Sequence, residues 1–540
     1  MPSQRQLFLD HLGQTSPAPL MLEIERAEGS FLYDSSGRDI LDLISGVSVS
    51  NTGHRHPEVM AALNDQAGRY MHLMVYGEVI QSPQVRYASR LAELLPPTLE
   101  SVYFVNSGSE AIEGALKLAR RYTGRNEIIY FRNAYHGSTT GALSVQGSEE
   151  YRNAFRPLMP ATAMADFNSP DAVRMISPGT AAVLVEPVQA EAGVIQPSDT
   201  FLSDLRKACD TNGALLIFDE VQTGFGRTGK LFSLYRYDVT PDILVLAKAL
   251  GGGLPLGAFI ASRGIMSSLT HDPVLGHITT FGGHPLCCST GLASLEVIVR
   301  ENLAEKALEK EQIFRSELAG MPFREVRGEG LLMAVVPEKP EIIPAMISRA
   351  PEFGLLLDYF LFCPTAFRIA PPLTISADDI RLACQFTSQT VEIARIVFER
   401  RRIQSDRHAA YRGILLPLTR DEQCLRLGRG MTVGTDILAL ARRDVGLHGS
   451  GYVGQATDGP PLGYLLHLQA RVAAAHDLPA RDAHATTAAA ALSGAGGGEV
   501  EVAEDRGIEQ ARAHRHLDRL ARGRECDRRH DGLTPRRGGV

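Results

Sequence analysis

Short apolar runs alternate with amphipathic stretches through the first 400 residues, and this alternation constrains the fold more than any other feature. The runs are SVYFV at 101–105, EIIYF at 127–131, AAVLVE at 181–186, ALLIF at 214–218 and DILVLA at 242–247. Helical periods lie between them, at 109–122 and 199–213. Such an order predicts an α/β fold with a mostly parallel, doubly wound sheet.

Ligands of doubly wound sheets bind beyond the carboxyl ends of the strands, so the residues after each run are the first candidates for a site. Ser107, Gly108 and Ser109 follow the first run and open a helix. Free N–H groups, a permissive glycine and the positive end of the helix dipole suit a phosphate there. Simple capping of the helix by a serine is the alternative.

Two further strand ends carry polar or aromatic groups. Tyr135, followed by His136, could stack on a planar heterocycle, although packing in the core explains an aromatic residue equally well. Asp219 ends a fully apolar run, where a carboxylate needs a cation or strong donor to offset its desolvation. A protonated ring nitrogen would meet that need.

Lys248 directly follows the last apolar run, in a chain that has only seven lysines. A poorly hydrated lysine has a lowered pKa, and its neutral amine can form a Schiff base. A surface lysine is the alternative, which the neighbouring strand-end residues weaken.

Charge and composition restrict the partners. The formal net charge is −7, and the first 400 residues contain no stripe of Lys and Arg interleaved with aromatics, which argues against nucleic-acid binding. We expect no membrane association, because no apolar stretch reaches the ~20 residues that a span needs and the N-terminus lacks a signal-peptide core. Seven scattered cysteines without metal-site spacing indicate a reducing compartment, so a cytoplasmic enzyme without a metal is expected.

Composition changes abruptly near residue 400. Every Lys and Phe lies before that point, whereas 401–540 is rich in Ala, Arg, Gly and His and carries a net charge of +4. We interpret this tail as a disordered extension or a translated out-of-frame segment, with an accessory domain at 401–470 as the alternative. The His pair at 514 and 516 does not have the spacing of a specific metal site, and no function is inferred for the tail.

The motifs together resemble class III pyridoxal-phosphate-dependent aminotransferases of fold type I. The resemblance runs from about residue 20 to 400 through these segments: NTGHRHP (51–57), NSGSEA (106–111), YHG (135–137), EPVQAEAG (186–193), FDEVQTGFGRTG (218–229), LAKALGGGLPLGA (246–258), TTFGGHP (279–285) and FRIAPPL (367–373). It implies a large domain with a seven-stranded type of sheet and a smaller α/β domain formed by N- and C-terminal parts. The implied ranges are 1–50 and 291–400 for the small domain, 51–290 for the large domain and 401–540 for the tail.

The resemblance also implies roles for individual residues around pyridoxal 5′-phosphate. Lys248 would form the Schiff base and move the proton, and Asp219 would bind the ring nitrogen. Thr280 would reach the phosphate in a neighbouring subunit, which implies a homodimer. The other implied cofactor contacts are phosphate binding by Gly108 and Ser109, ring stacking by Tyr135 and Val221, a hydrogen bond from Gln222, and contacts from His136 and Glu186.

Two further residues concern the substrates. Arg368 matches the family arginine that grips an α-carboxylate, and Glu191 matches the acidic residue that covers this arginine while an ω-amino group reacts. Together they imply a transaminase that moves an ω-amino group, of an acetylornithine- or ornithine-like donor, to 2-oxoglutarate by a ping-pong mechanism. The alternatives are a 4-aminobutyrate, lysine or diamine transaminase, an aminomutase or epimerase on the same fold, and a non-catalytic product impaired by the tail.

Two positions depart from the family pattern. His284 stands where Asn is usual, and Ala190 stands where Gly is common, so the phosphate turn and the loop carrying Glu191 are expected to differ locally. Neither change removes a group with a chemical role.

Overall fold

The computed structural model describes residues 2–75 and 77–415, and side chains as far as residue 400. The first residues of the predicted tail at 401–540 continue a helix as far as Leu415. The rest of the tail, with all but the start of the accessory-domain alternative at 401–470, lies outside the described residues. The strands within the described part are β1 Ile24–Glu28, β2 Phe31–Asp34, β3 Asp39–Asp42, β4 Ser101–Val105, β5 Glu127–Phe131, β6 Thr162–Ala165, β7 Thr180–Val185, β8 Leu215–Asp219, β9 Ile243–Leu246, β10 Gly257–Ala261, β11 Phe323–Glu329, β12 Leu332–Pro337, β13 Leu355–Leu356, β14 Asp358–Phe360 and β15 Cys363–Ile369.

Helices alternate with these strands. They are α1 Gln4–His11, α2 Ser45–Ser48, α3 Pro57–Ala67, α4 Ser82–Glu93, α5 Gly108–Thr123, α6 Thr140–Ser144, α7 Glu149–Arg152, α8 Pro170–Arg174, α9 Phe201–Asn212, α10 Leu234–Tyr237, α11 Arg263–Met266, α12 Pro285–Arg300, α13 Leu303–Leu318, α14 Ile343–Arg349 and α15 Ala377–Leu415. None of the helices in the described ranges has both the length and the apolar composition that crossing a bilayer requires.

A seven-stranded sheet in the order β4-β10-β9-β8-β7-β5-β6 forms the centre of the fold. Strands β9, β8, β7, β5 and β6 are parallel neighbours, and β10 runs antiparallel to both β4 and β9. All five predicted strands lie in this sheet within one residue of the expected ends. The prediction of a mostly parallel α/β sheet is therefore confirmed, and β6 and β10 are strands that the apolar runs did not reveal.

The sheet is covered on both faces because alternate residues of its strands enter different cores. On one face Ile217 packs with the α5 side chains Ala115 and Leu118, whereas on the other Leu216 packs with Leu205 of α9. Both faces are apolar, so the central strands are continuous hydrophobic runs, as parallel strands buried on two sides require. Within these central strands, the polar positions available for chemistry are therefore at the strand ends.

Two four-stranded sheets complete the described part. One has the order β1-β2-β3-β13, in which β13 pairs parallel to β3 through Leu355 and Leu41, so an N-terminal and a C-terminal segment share a sheet. The other has the antiparallel order β11-β12-β15-β14 and carries Arg368 on β15. The exact domain boundaries remain a prediction.

Candidate active site

A cavity of about 650 Å³ opens at the carboxyl ends of the parallel strands. Nine of the twelve site residues predicted from the sequence line it: Gly108, Ser109, Tyr135, His136, Glu186, Asp219, Val221, Gln222 and Lys248. Each of them lies within a few residues of the end of β4, β5, β7, β8 or β9. The parallel sheet brings them together, since its strands all end at one edge.

Asp219 is the last residue of β8 and is buried. Its Oδ2 lies 2.7 Å from Nδ1 of His136, and its Oδ1 accepts the main-chain N–H of Val221 at 3.0 Å. These partners offset part of the desolvation that the sequence argument identified. The remaining ring nitrogen of His136, Nε2, is buried and has no hydrogen-bond partner.

Glu186 is a second buried carboxyl group of the cavity. Its oxygens accept the main-chain N–H groups of Tyr135 at 3.3 Å and Ala190 at 3.4 Å. Burial, and secondly the nearby charge of Asp219, raise the pKa of Glu186 well above its ordinary value. Burial therefore favours the protonated form of Glu186.

Lys248 follows β9 in a left-handed conformation, with φ at 54°. Its Nζ donates to Oε1 of Gln222 at 3.0 Å, while Nε2 of Gln222 is buried without a partner. Burial lowers the pKa of Lys248 to about 8, and the positive charge of Arg368 acts in the same direction. A larger share of this amine is neutral at physiological pH than for an exposed lysine.

This pKa gives a test of Lys248 as a nucleophile. In the protein freed of bound carbonyl compounds, reductive alkylation by an aromatic aldehyde requires the neutral amine, which forms as the pH rises. The rate at Lys248, followed by peptide mass spectrometry, should fall about tenfold per unit below pH 8 and level off above it. A midpoint near the ordinary 10.5 would contradict the account.

The helix α5 begins at the cavity. Ser107 caps it by accepting the N–H of Glu110 at 3.2 Å, as the capping alternative requires, and the first turn still presents N–H groups that lack intrahelical partners. Ser109 accepts the N–H of Thr139 at 3.1 Å, and the two hydroxyl oxygens lie 2.8 Å apart. Thr139 also lines the cavity, and sequence reasoning missed it although it lies two residues beyond the YHG segment.

Gly137 makes the close approach of these loops possible. Its φ is 124°, and a Cβ there would lie 2.3 Å from Oγ of Ser109. We expect Gly137→Ala to displace Ser109 and weaken phosphate binding at least about tenfold, measured as the affinity for a phosphorylated ligand. Gly124→Ala is the matched control, because its φ is also positive, at 68°, but nothing lies within 4 Å. Equal affinities in both variants would contradict this role.

Arg368 and Glu191 form a buried ion pair that does not line the cavity. Nη2 of Arg368 donates to both carboxylate oxygens of Glu191, at 2.8 and 2.9 Å. Nε and Nη1 of Arg368 are buried without hydrogen-bond partners. A buried guanidinium with unused donors can take another carboxylate, provided that Glu191 moves.

Thr280 is the third predicted site residue that does not line this cavity. It is exposed, and its neighbour Thr279 accepts a hydrogen bond from Asn106 at 3.0 Å. His284 in the same segment caps α12, its Nδ1 accepting the N–H of Leu286 at 3.3 Å, and its ring stacks on His72. His284 thus supplies the hydrogen-bond acceptor at this turn, where the family pattern has Asn.

The complete set of groups fits a planar cationic ring that carries an aldehyde and a phosphate. A half-buried amine, a carboxylate and the start of a helix surround one cavity, and two polar nitrogens of its wall, on His136 and Gln222, are buried without partners. Unpartnered buried nitrogens are uncommon in a relaxed core and are typical of ligand sites.

The comparisons with known proteins agree with this geometry. The class III aminotransferase family matches residues 13–391. The acetylornithine aminotransferase of Methanosarcina mazei is 39% identical over 366 residues, covering 66% of this chain and 89% of the relative. The succinylornithine transaminase of Yersinia pseudotuberculosis is 39% identical over 404 residues, covering 70% and 94%. The ornithine aminotransferase of Toxoplasma gondii, solved with partial occupancy of PLP at its active site, has a TM-score of 0.67 at 30% identity, covering 72% of this chain and 93% of that structure.

Proposed function

The chain belongs to the class III aminotransferases, and we propose that it moves the ω-amino group of an ornithine derivative to 2-oxoglutarate by a ping-pong mechanism. It is an enzyme that transfers nitrogenous groups, with pyridoxal 5′-phosphate as its cofactor. The donor is proposed from the relatives, of which two act by name on acetylornithine and succinylornithine.

The cavity fits pyridoxal phosphate through groups of this chain. Gly108 and Ser109 would hold the phosphate, Tyr135 and Val221 would contact the ring faces, and Asp219 would bind the ring nitrogen. His136 and Gln222 line the same cavity with their unpartnered nitrogens. When bound, the cofactor supplies an electron-withdrawing ring that accepts the electron pair released from the donor carbon.

Lys248 is the proposed catalytic base. The pKa of Lys248 is lowered, so part of its amine is neutral. The neutral amine can take a proton from the donor carbon and then deliver that proton to the carbon that carried the carbonyl group of the cofactor. Asp219 would stabilise positive charge on the ring nitrogen, while His136 orients its carboxylate through the 2.7 Å contact. Glu186 positions Tyr135 and the loop before Glu191 through main-chain hydrogen bonds.

The pairing of Arg368 with Glu191 is the observation that carries the substrate proposal. In the closed pair, Glu191 neutralises Arg368, so a donor can present its ω-amino end, which has no carboxylate, beside Lys248. When Glu191 moves away, Arg368 can bind the α-carboxylate of glutamate or 2-oxoglutarate through planar, two-pronged hydrogen bonds. A reaction that alternates two carboxylate substrates has need of such a covered arginine.

Formation of glutamate from 2-oxoglutarate tests the proposal. Purified holoenzyme is given acetylornithine, succinylornithine, ornithine, 4-aminobutyrate or lysine, one at a time. We expect the highest kcat/KM with an N-acylated ornithine and parallel lines in double-reciprocal plots. A higher kcat/KM with 4-aminobutyrate or lysine would contradict the proposed donor. Intersecting lines would contradict the ping-pong mechanism.

We propose further that the enzyme is a homodimer in which Thr280 contributes to the partner's site. Exposed apolar side chains flank Thr280 in the sequence, among them Ile278 and Phe281, and the ring centroids of Phe281 and His72 lie 4.7 Å apart. An apolar patch of this kind is typical of protein interfaces. A cytoplasmic location is likewise proposed, because the five described cysteines are free.

Mixed dimers test the sharing of sites. One site of a Thr280→Ala/Lys248→Ala heterodimer carries both changes, and the other carries Lys248 from one chain and Thr280 from its partner. We therefore expect that second site to bind cofactor with wild-type affinity, whereas the Thr280→Ala homodimer binds it about tenfold more weakly. A heterodimer as weak as that homodimer would show that Thr280 serves its own chain.

A further inference from the structure

The turn between β14 and β15 contacts Glu191 at two points. The main-chain N–H of Leu361 donates to the carboxylate oxygen Oε2 of Glu191 at 3.1 Å, and the N–H of Phe362 donates to the main-chain oxygen of Glu191 at 3.1 Å. The carboxylate that covers Arg368 is therefore held from both sides, by a guanidinium and by a main-chain amide.

Other contacts attach the backbone of the Glu191 loop to the same hairpin. Arg327 donates through Nε to the oxygen of Gly193 at 2.5 Å and through Nη2 to Sγ of Cys363 at 3.3 Å. With the Phe362 bond, these contacts keep the loop backbone in place when the carboxylate leaves Arg368. If Glu191 uncovers Arg368 by rotating its side chain, the hydrogen bond from Leu361 to its Oε2 breaks.

We propose that the Leu361 amide is a positioning group that holds Glu191 over Arg368 and so sets the enzyme's preference for ω-amines over α-amino acids. This inference rests on the proposed function of the Arg368–Glu191 pair. Leu361 is itself partly exposed, so water can take up its N–H once Glu191 has moved. The Leu361 hydrogen bond therefore stabilises only the arrangement in which Glu191 covers Arg368.

A ligand that needs Arg368 uncovered binds with an affinity reduced by the fraction of open molecules. Hydrogen bonds to charged groups contribute enough to change such a fraction about tenfold. Removing the Leu361 amide should therefore strengthen binding at Arg368 about tenfold. As long as most molecules remain closed, donors that react through an ω-amine should keep their rates.

Leu361→Pro removes this N–H and also replaces the leucine side chain. Leu361 opens a two-residue turn closed by the Phe360–Cys363 pair, its φ is not positive, and β14 is an edge strand, so a proline fits the turn. Leu361→Ala is the matched control, since it keeps the N–H and shortens the same side chain.

The first measurement is calorimetric binding of glutarate, a dicarboxylate without an amino group, to the holoenzymes. Glutarate should bind about tenfold more tightly to Leu361→Pro than to Leu361→Ala, and Arg368→Ala should abolish binding. In single turnovers, the L-glutamate concentration that gives half the maximal rate should be about tenfold lower in Leu361→Pro, and the maximal rate should be unchanged. N-acetylornithine should react within about twofold of wild type.

Equal glutarate affinities in the proline and alanine variants would overturn the inference. If the proline variant does not fold, Phe362→Ala decides, because it keeps both amides and removes the edge-on contact with Tyr151 that seats the turn. About threefold tighter glutarate binding is then expected, and unchanged binding overturns the proposal. A wild-type enzyme that converts neither donor would refute the proposed function, while the glutarate comparison still decides the role of Leu361.

Discussion

Replacing Lys248 by alanine should lower transaminase turnover at least about 10⁴-fold with every donor. The variant loses the amine that we propose binds the cofactor covalently and moves the proton, and no other lysine lines the cavity in the described part of the chain. The measurement is glutamate formation with saturating N-acetylornithine and 2-oxoglutarate.

Lys230→Ala provides the control for this variant. Lys230 is exposed and lies outside the cavity, so its removal should leave turnover within about twofold of wild type. Circular dichroism should give the same spectrum for both variants, because the Nζ of Lys248 makes one hydrogen bond, to Gln222. A Lys248→Ala enzyme with more than about 1% of the activity would contradict the assignment.

Asp219→Asn should lower kcat/KM about 10²- to 10³-fold. A buried positive ring nitrogen that loses its counter-charge is destabilised by about 3–5 kcal/mol, and the amide also disturbs the 2.7 Å contact with His136. The loss should be seen in both half-reactions, since the same ring serves both. Rates of the separate half-reactions measure it.

Glu186→Gln is the matched control, since it alters a second buried carboxyl group of the same cavity. Burial raises the pKa of Glu186, which favours its uncharged form, and the amide still accepts one of the two long main-chain hydrogen bonds. We expect a loss of less than about tenfold. Equal losses in the two variants would show that burial, rather than the charge of Asp219, decides the effect.

The parallel part of the fold could be predicted because its strands are buried on both faces and read as uninterrupted apolar runs. Strand β10 was missed because its sequence GAFIA, at 257–261, mixes three small residues with two large apolar ones. Its place between β4 and β9 also depends on antiparallel pairing. The pairing of β3 with β13 joins residues more than 300 positions apart, which no local pattern encodes.

The site residues likewise divide into those that the local sequence reveals and those that depend on distant parts of the chain. Residues at strand ends, such as Asp219 and Lys248, were predictable because a polar group after a buried run needs a reason to be there. The covering of Arg368 by Glu191 was expected from the resemblance, whereas the Leu361 amide was not. A main-chain N–H has no sequence signature, and its position depends on how the β14–β15 turn meets a loop 170 residues earlier in the chain.

The visible absorbance of the holoenzyme through one half-reaction tests the central claim most directly. With N-acetylornithine and no acceptor, the visible band of the lysine-bound cofactor should fade and be replaced by the band of the cofactor's amine form. Addition of 2-oxoglutarate alone should then restore the first band. A band that stays unchanged until both substrates are present, or a chain that takes up no pyridoxal phosphate, would contradict a ping-pong transaminase built around Lys248.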